Sequence, residues 1–372
     1  MDDSTTSRRT VLKSTAALAT IGTLAGCSGG GGTTTAGGDG GDGSDGDDGG
    51  DGGTQMPSGS AGQGQRVSAV PASANMLVYL DYEQFRTDED LKRLLDTGVQ
   101  SGTGAQGVEG ALESQGLGDA IDPAKVYDMM LFAEIPEDDP MAGASSNGGA
   151  IFWTGLPAGD AVPAMKTAAS ENGTELTEET YSGKTMLMSE SGTGSIGVVS
   201  EGVYVVGTDQ VIRDTIDVAT GSGESASGAV TDALANTKDA PVRFAADLPT
   251  GTFSSGDGTS GGTGAMQYTS KIDVVSGGLF YKNGSEVGFR LNATMTDEQS
   301  ATEATQMLKQ FKTVYSQQAD QMEQGGEELK RILGNLSISQ SGKTVSASYE
   351  DTVDNLIQLG QGGLPMGGGM GS

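Results

Sequence analysis

Histidine is missing altogether from the 372 residues, and cysteine and tryptophan occur once each, at Cys27 and Trp153. The chain therefore lacks the side chain used most often as a general base near neutrality and as a metal ligand. One cysteine allows neither an internal disulfide nor a cysteine metal cluster, and an odd thiol calls for its own explanation. Ser/His/Asp and Cys/His catalytic sets are excluded outright. No S-x-x-K follows Cys27, so the serine–lysine arrangement is absent too. Basic residues are also scarce, with 21 Lys and Arg against 50 Asp and Glu, for a net charge of −29. With no basic stripe to release counterions, the charge argues against nucleic acid and anionic lipid headgroups as partners.

The start of the chain holds the most specific signal. Ser7 to Lys13 reads SRRTVLK, a small-residue apolar stretch runs from Ser14 to Thr23, and Leu24-Ala25-Gly26-Cys27 follows. A charged start, a short apolar run and a small-residue exit are the layout of a secretory signal. The apolar stretch is shorter than the roughly twenty residues of a bilayer span and is diluted by Thr15, Thr20 and Gly22. Arg8 and Arg9 resemble the pair of a twin-arginine export signal, although Val11 stands where that pattern more often has Phe. Leu24 to Cys27 resembles a lipobox, which implies acylation of Cys27 and a mature N-terminus there. A single acyl chain holds a protein only marginally, so stable residence implies two or more.

Residues 28–65 are dominated by Gly, Ser, Thr and Asp, with no basic residue until Arg66. Such a segment buries no apolar surface and is expected to be a disordered, self-repelling spacer. It is not an EF-hand loop: counting from Asp39, the twelfth position, which needs a bidentate Glu, is Gly50.

Hydrophobic periods begin near Val67. Strands are predicted at Met76–Leu80, Met129–Ala133, Ala150–Trp153, Lys184–Ser189, Ile196–Val199 and Val203–Gly207, and helices at Asp88–Leu95, Val108–Ser114 and Asp160–Ala169. Asp209 is a candidate cap for a helix carrying Val211, Ile212, Ile216 and Ala219 and ending at Gly221. The order then recurs. Pro241–Ala245 matches the opening strand, and Gly278–Lys282 and Glu286–Met295 form a hairpin around Asn283-Gly284. Thr296 and Gln299 read as a capping box for a long helix striped with Ala304, Met307, Leu308, Phe311, Val314, Tyr315 and Met322. The stripe is expected to pack in the core. A further hairpin turns at Ser341-Gly342, and a last helix stops at Gly360.

These readings imply an α+β protein of two tandem similar units, 66–238 and 239–360, each an antiparallel sheet with helices on one face. A single larger α+β domain is the alternative. A disordered Gly/Met tail is expected over 361–372.

Motif matches to known chemistry are weak. Gly258-Thr259-Ser260-Gly261-Gly262 fits G-x-S-x-G without a strand entering or a helix leaving. G-x-G-x-x-G occurs at Gly102-Gly104-Gly107 and Gly192-Gly194-Gly197, neither at a strand-to-helix turn. With 62 glycines such matches are expected by chance. Glu137-Asp138-Asp139, Glu178-Glu179 and Glu327-Glu328 could serve a glycosidase, but in so acidic a chain they read as solvated faces. Trp153, beside Ile151 and Phe152, reads as core rather than as a sugar platform. Asn172, Asn283, Asn292 and Asn335 head N-x-[ST] sequons, candidates for glycosylation in an exported chain. No catalytic residue, metal site or cofactor is expected.

High acidity, few lysines and abundant small residues resemble the proteins of salt-loving archaea. In molar salt the screening length falls to about 3 Å, which makes such a surface tolerable. Signal, lipobox and spacer together resemble uncharacterised twin-arginine-exported lipoproteins of haloarchaea. The resemblance implies an extracytoplasmic protein held at the cell membrane through lipid on Cys27. The expected function is non-enzymatic: binding an envelope protein or glycan, or organising the envelope. A ligand-binding lipoprotein serving a transporter is the alternative, and a carboxylate-dependent hydrolase ranks third. A deep polar cleft would favour the second, an exposed apolar patch the first.

Overall fold

The computed structural model describes residues 66–103, 122–135, 148–171, 173–190, 194–237, 240–248, 270–281, 286–322 and 325–362. Arg8, Arg9, Cys27, Asn172, Asn283, the spacer 28–65, the helix expected at Val108–Ser114 and the last ten residues of the tail lie outside them.

The protein is α+β, built on one antiparallel sheet of twelve strands in the order β11-β12-β10-β9-β8-β1-β2-β3-β7-β6-β5-β4. The strands of the first half are β1 (Met76–Asp81), β2 (Val126–Ala133), β3 (Gly148–Thr154), β4 (Leu176–Tyr181), β5 (Lys184–Ser189), β6 (Ser195–Ser200) and β7 (Val203–Gly207). Those of the second are β8 (Val242–Asp247), β9 (Ile272–Tyr281), β10 (Glu286–Met295), β11 (Leu336–Ser341) and β12 (Thr344–Thr352). Among the described residues the helices are α1 (Tyr82–Thr87), α2 (Glu89–Thr103), α3 (Ala158–Glu171), α4 (Asp209–Thr220), α5 (Ala229–Ala235), α6 (Glu298–Ala319), α7 (Gly326–Asn335) and α8 (Val353–Gly362).

Separate sheets were expected for the two halves; instead β1 pairs with β8, Val78 opposite Phe244, and the halves share one sheet. The reason lies in β1. Leu77, Val78, Tyr79 and Leu80 are all buried, so both of its faces need cover, and its edge would otherwise be open. The expectation of helices on one face alone fails for the same reason. Tyr82 and Phe85 of α1, Leu91 of α2 and Met165 of α3 pack with Leu80, Met129 and Phe152 on one face. Ile212 and Ile216 of α4 and Val230 and Leu234 of α5 pack with Leu77, Met130 and Ile151 on the other. Ala301 and Ala304 of α6 cover Ala293, Met295 and Val345. The register Val78–Phe244–Gly277–Leu291 puts that contact on the face of α1–α3.

Local chemistry sets the element ends. Thr208, not Asp209, caps α4, its hydroxyl accepting from the Val211 amide, and Gly221 closes the helix at φ 78°. Asp297 displaces the expected Thr296/Gln299 box on α6. Its carboxylate accepts from the Ser300 amide at 2.7 Å, and a charged acceptor suits the positive end of a helix. Gly197, in β6, lets α4 descend onto the sheet: a Cβ there would lie 2.4 Å from Ile212 Cγ2. At the other end, α8 runs through Gly362 rather than stopping at Gly360, packed on α2. Among the described residues, no helix is long and apolar enough to cross a membrane.

Candidate functional site

Two features stand out, and both depart from what the sequence stripes suggest. The first is a buried chain of polar groups crossing the sheet. Arg243 on β8, Tyr79 on β1 and Met130 on β2 lie directly opposite one another, so their side chains share a face. The Arg243 guanidinium lies over the Tyr79 ring, 4.0 Å from its centre. The Tyr79 hydroxyl donates to Asp128 Oδ1 at 2.5 Å. Asp128 in turn pairs with Arg66, whose guanidinium sits 4.8 Å over the Trp153 ring. Arg66, Asp128 and Arg243 are only 8%, 6% and 4% exposed.

Burial dominates the electrostatics of this chain. It raises the Tyr79 hydroxyl above its ordinary value, and the hydrogen bond to Asp128 adds to the rise. It also pushes the Asp128 carboxyl up, against the opposing pull of the Tyr79 hydroxyl and the Arg66 charge. It lowers Arg243, against the nearby Tyr79, Asp81 and Asp128.

Over Arg243 and Tyr79 opens a pocket of about 410 Å³. Its walls come from Val67 and Ser68, from the stretch Ser225–Gly228 and from α5. Pro71 bridges to Ser225, and the Ala226 amide donates to the Val70 carbonyl at 2.8 Å, which fixes this wall against the segment that carries Val67 and Ser68. The pocket lies where the two halves of the sheet meet.

The second feature is the outer face of α6. Its stripe was expected in the core, but only Ala301, Ala304, Thr305 and the distant Ala319 are buried apart from the cap neighbour Ser300. Phe311 is 41% and Val314 51% exposed, and the Tyr315 ring stacks on Phe311 at 6.1 Å. Residues three and four apart on a helix adjoin, so these three make one apolar patch. The sheet beneath explains the exposure. The inner face of α6 is satisfied by Ala301, Ala304 and the partly buried Leu308, which packs on the same cluster as expected, and the Lys312 ammonium donates to the Leu336 carbonyl at the start of β11, tying the helix down in that orientation.

The remaining sequence candidates do not converge on a site. Asn292 lies half-buried on β10, within hydrogen-bond reach of Ser346, and Asn335 is exposed at the end of α7. Glu178 pairs with Lys166 of α3 and Glu179 with Arg213 of α4, helices on opposite faces, so the two carboxylates diverge. Glu327 and Glu328 are taken up by Lys330 and Arg331. Glu137, Asp138 and Asp139 lie outside the described residues. Trp153 is half-buried against the core, with Arg66 over it. Among the described residues, no cluster of three or more acidic or cysteine side chains could hold a metal. The sequence did carry a signal for the buried chain: Asp128 and Arg243 are charges inside apolar strands, VYDMMLFA and VRFAAD.

No family model matches the chain, and no curated protein matches it. Among solved structures it is similar to one described as crystal form I of TP0453, with a TM-score of 0.42 and 8% identity, over 79% of this chain and 95% of that one.

Proposed function

We propose that this chain is a lipid-anchored extracytoplasmic surface protein of a halophile that performs no reaction and binds an envelope protein through the outer face of α6. The observation that carries the reading is the exposed Phe311–Val314–Tyr315 patch. Large exposed apolar residues grouped on one element mark interaction surfaces. Covering the open parts of Phe311 and Val314 is worth on the order of 1–2 kcal/mol each. A protein partner fits better than a glycan, because aliphatic Val314 interrupts the rings and Tyr315 already occupies part of Phe311. The net charge of −29 disfavours an anionic headgroup as the occupant. The lipid on Cys27 and the spacer 28–65 would let this face reach past the membrane surface.

A photo-crosslinking residue placed at 311, 314 or 306 in native membranes at high salt tests the proposal. Positions 311 and 314 should give the same single protein adduct, that at 311 lost on adding Val314→Ser, while 306, on another side of the helix, should not. No adduct at 311 and 314 beyond that at 306 would sink it.

The strand order also supports reading the sheet as two tandem units, 66–238 and 239–360. Outward from the centre, β1-β2-β3-β7 mirrors β8-β9-β10-β12, each with a helix after the third strand, and hairpin β4–β5 is then an addition. Two units predict two blocks of hydrogen exchange meeting at β1 and β8; one block throughout would refute them. The pocket at this junction favours a second function, that of a ligand-binding lipoprotein serving a transporter.

A further inference from the structure

We propose that β11 pairs antiparallel with β11 of a second copy of this chain, joining two sheets edge to edge about a two-fold axis. This contact is separate from the partner surface proposed on α6.

The two ends of the sheet are built differently. β4 has four consecutive exposed residues, and its Glu178 and Glu179 form ion pairs with Lys166 and Arg213. Charges on an edge strand oppose pairing with another chain. β11 reads Leu-Ser-Ile-Ser-Gln-Ser, without charge, proline or glycine, and its register against β12 runs unbroken from Leu336 to Ser341. Among the described residues no strand lies beyond it. α6 covers one face only: Ile338 packs into its cluster, while Ser337, Ser339 and Ser341 are exposed on the other.

The turn fixes which backbone groups face outward. Gly342 and Lys343 join β11 to β12, so Ser341 and Thr344 close a two-residue hairpin and exchange both of their bonds. Alternation then turns the amides and carbonyls of Ser337 and Ser339 inward and those of Ile338 and Gln340 outward. Among the described residues, no other backbone group reaches Ile338 or Gln340 on that side. Leu336 is already taken: its amide donates to the Ile332 carbonyl, and its carbonyl accepts from Lys312.

Register and charge identify the occupant. Antiparallel pairing centred on Ser339 sets Ile338 of each copy against Gln340 of the other. The outward groups of both residues are then all paired, and those of Leu336 are not needed. Such a contact is isologous, and the strand meets its own reverse with no like charges opposed. A net charge of −29 sets two copies against each other, but no Asp or Glu occurs between Leu329 and Tyr349. The axis stands normal to the sheet, so both α6 helices lie on the same side of the joined sheet.

The test is sedimentation and disulfide trapping of the full-length protein in molar potassium chloride, with Cys27→Ser so that an introduced thiol is the only one. A monomer–dimer equilibrium should appear. Ser339→Cys should trap the dimer, because position 339 opposes itself in a non-hydrogen-bonded pair about 4.5 Å apart, within disulfide reach. Ser337→Cys, also exposed on that face, lies about 14 Å from its counterpart and should not. Gln340→Pro removes an outward N–H, which an edge strand tolerates, and should weaken the dimer at least about tenfold with a cooperative thermal transition retained. The two exposed thiols decide the matter should that variant fail to fold. A monomer at every concentration, equal trapping at 337 and 339, or a dimer indifferent to Gln340→Pro in a folded chain would overturn the proposal. So would concentration-independent protection of the Ile338 and Gln340 amides from hydrogen exchange, which would mean that another part of the same chain covers the edge.

Discussion

Replacing Asp128 by alanine should be among the most damaging single changes in this protein. Asp128 holds two partners, Arg66 and the Tyr79 hydroxyl, and all three groups are nearly inaccessible. Truncation leaves the Arg66 cation buried without its carboxylate, which costs ~3–5 kcal/mol. It also leaves the Tyr79 hydroxyl without its acceptor, a further ~1–3 kcal/mol unless water enters. For a folded region of this size the sum lowers the melting temperature by on the order of 10 °C. The double variant Arg66→Met/Asp128→Leu removes both charges and should recover most of the loss, because an apolar replacement carries no desolvation penalty. Urea unfolding can be followed through Trp153, the sole tryptophan, which sits beneath Arg66, and in parallel through far-ultraviolet circular dichroism for the whole fold. The destabilisation should persist in molar salt, since a buried pair is weakly screened. If Asp128→Ala costs less than ~1 kcal/mol, or the double variant is no better than the single, the reasoning about this buried chain is wrong.

Two further expectations follow from local geometry. Gly197→Ala drives a methyl into Ile212 and Val205 and should cost ~1–3 kcal/mol by urea titration, with α4 displaced from β6. The Ser300 amide and hydroxyl hold the Asp297 carboxyl below its ordinary value of 3.8, so its stabilisation is present above that value and is lost as pH falls through the lower folded-state value. The melting-temperature gap between wild type and Asp297→Ala should therefore be widest near neutrality and narrow in acid.

Much of the sheet was legible because its central strands are apolar runs. Met76–Leu80, Met129–Ala133 and Ala150–Trp153 are strands within a residue or a few of where their periods place them. β4 was missed because LTEETY is an edge strand with four consecutive exposed residues and shows no apolar period. α5, which walls the pocket, is seven residues long with only Val230 and Leu234 inward, too short for a helical stripe to register. Pairing between β1 and β8 depends on two distant segments sharing an edge, which no local pattern encodes. The exposed face of α6 was misread for a related reason. Phe311 and Val314 keep the helical spacing of core residues, and only the three-dimensional position of β10 and β12 shows that small Ala301 and Ala304 already satisfy the inward side. Arg243 and Asp128 were visible as charges within apolar strands, but their joint role needs the register that aligns Arg243 with Tyr79.

The claim on which the biology turns is that Cys27 carries the lipid that holds this protein outside the cytoplasm. Mass spectrometry of the N-terminal peptide released from native membranes tests it most directly. The mature chain should begin at Cys27, heavier by two or more lipid chains on the thiol and amine, and Cys27→Ser should leave the membrane fraction. A chain that retains Met1, or a serine variant that is still trimmed and membrane-bound, would contradict the account.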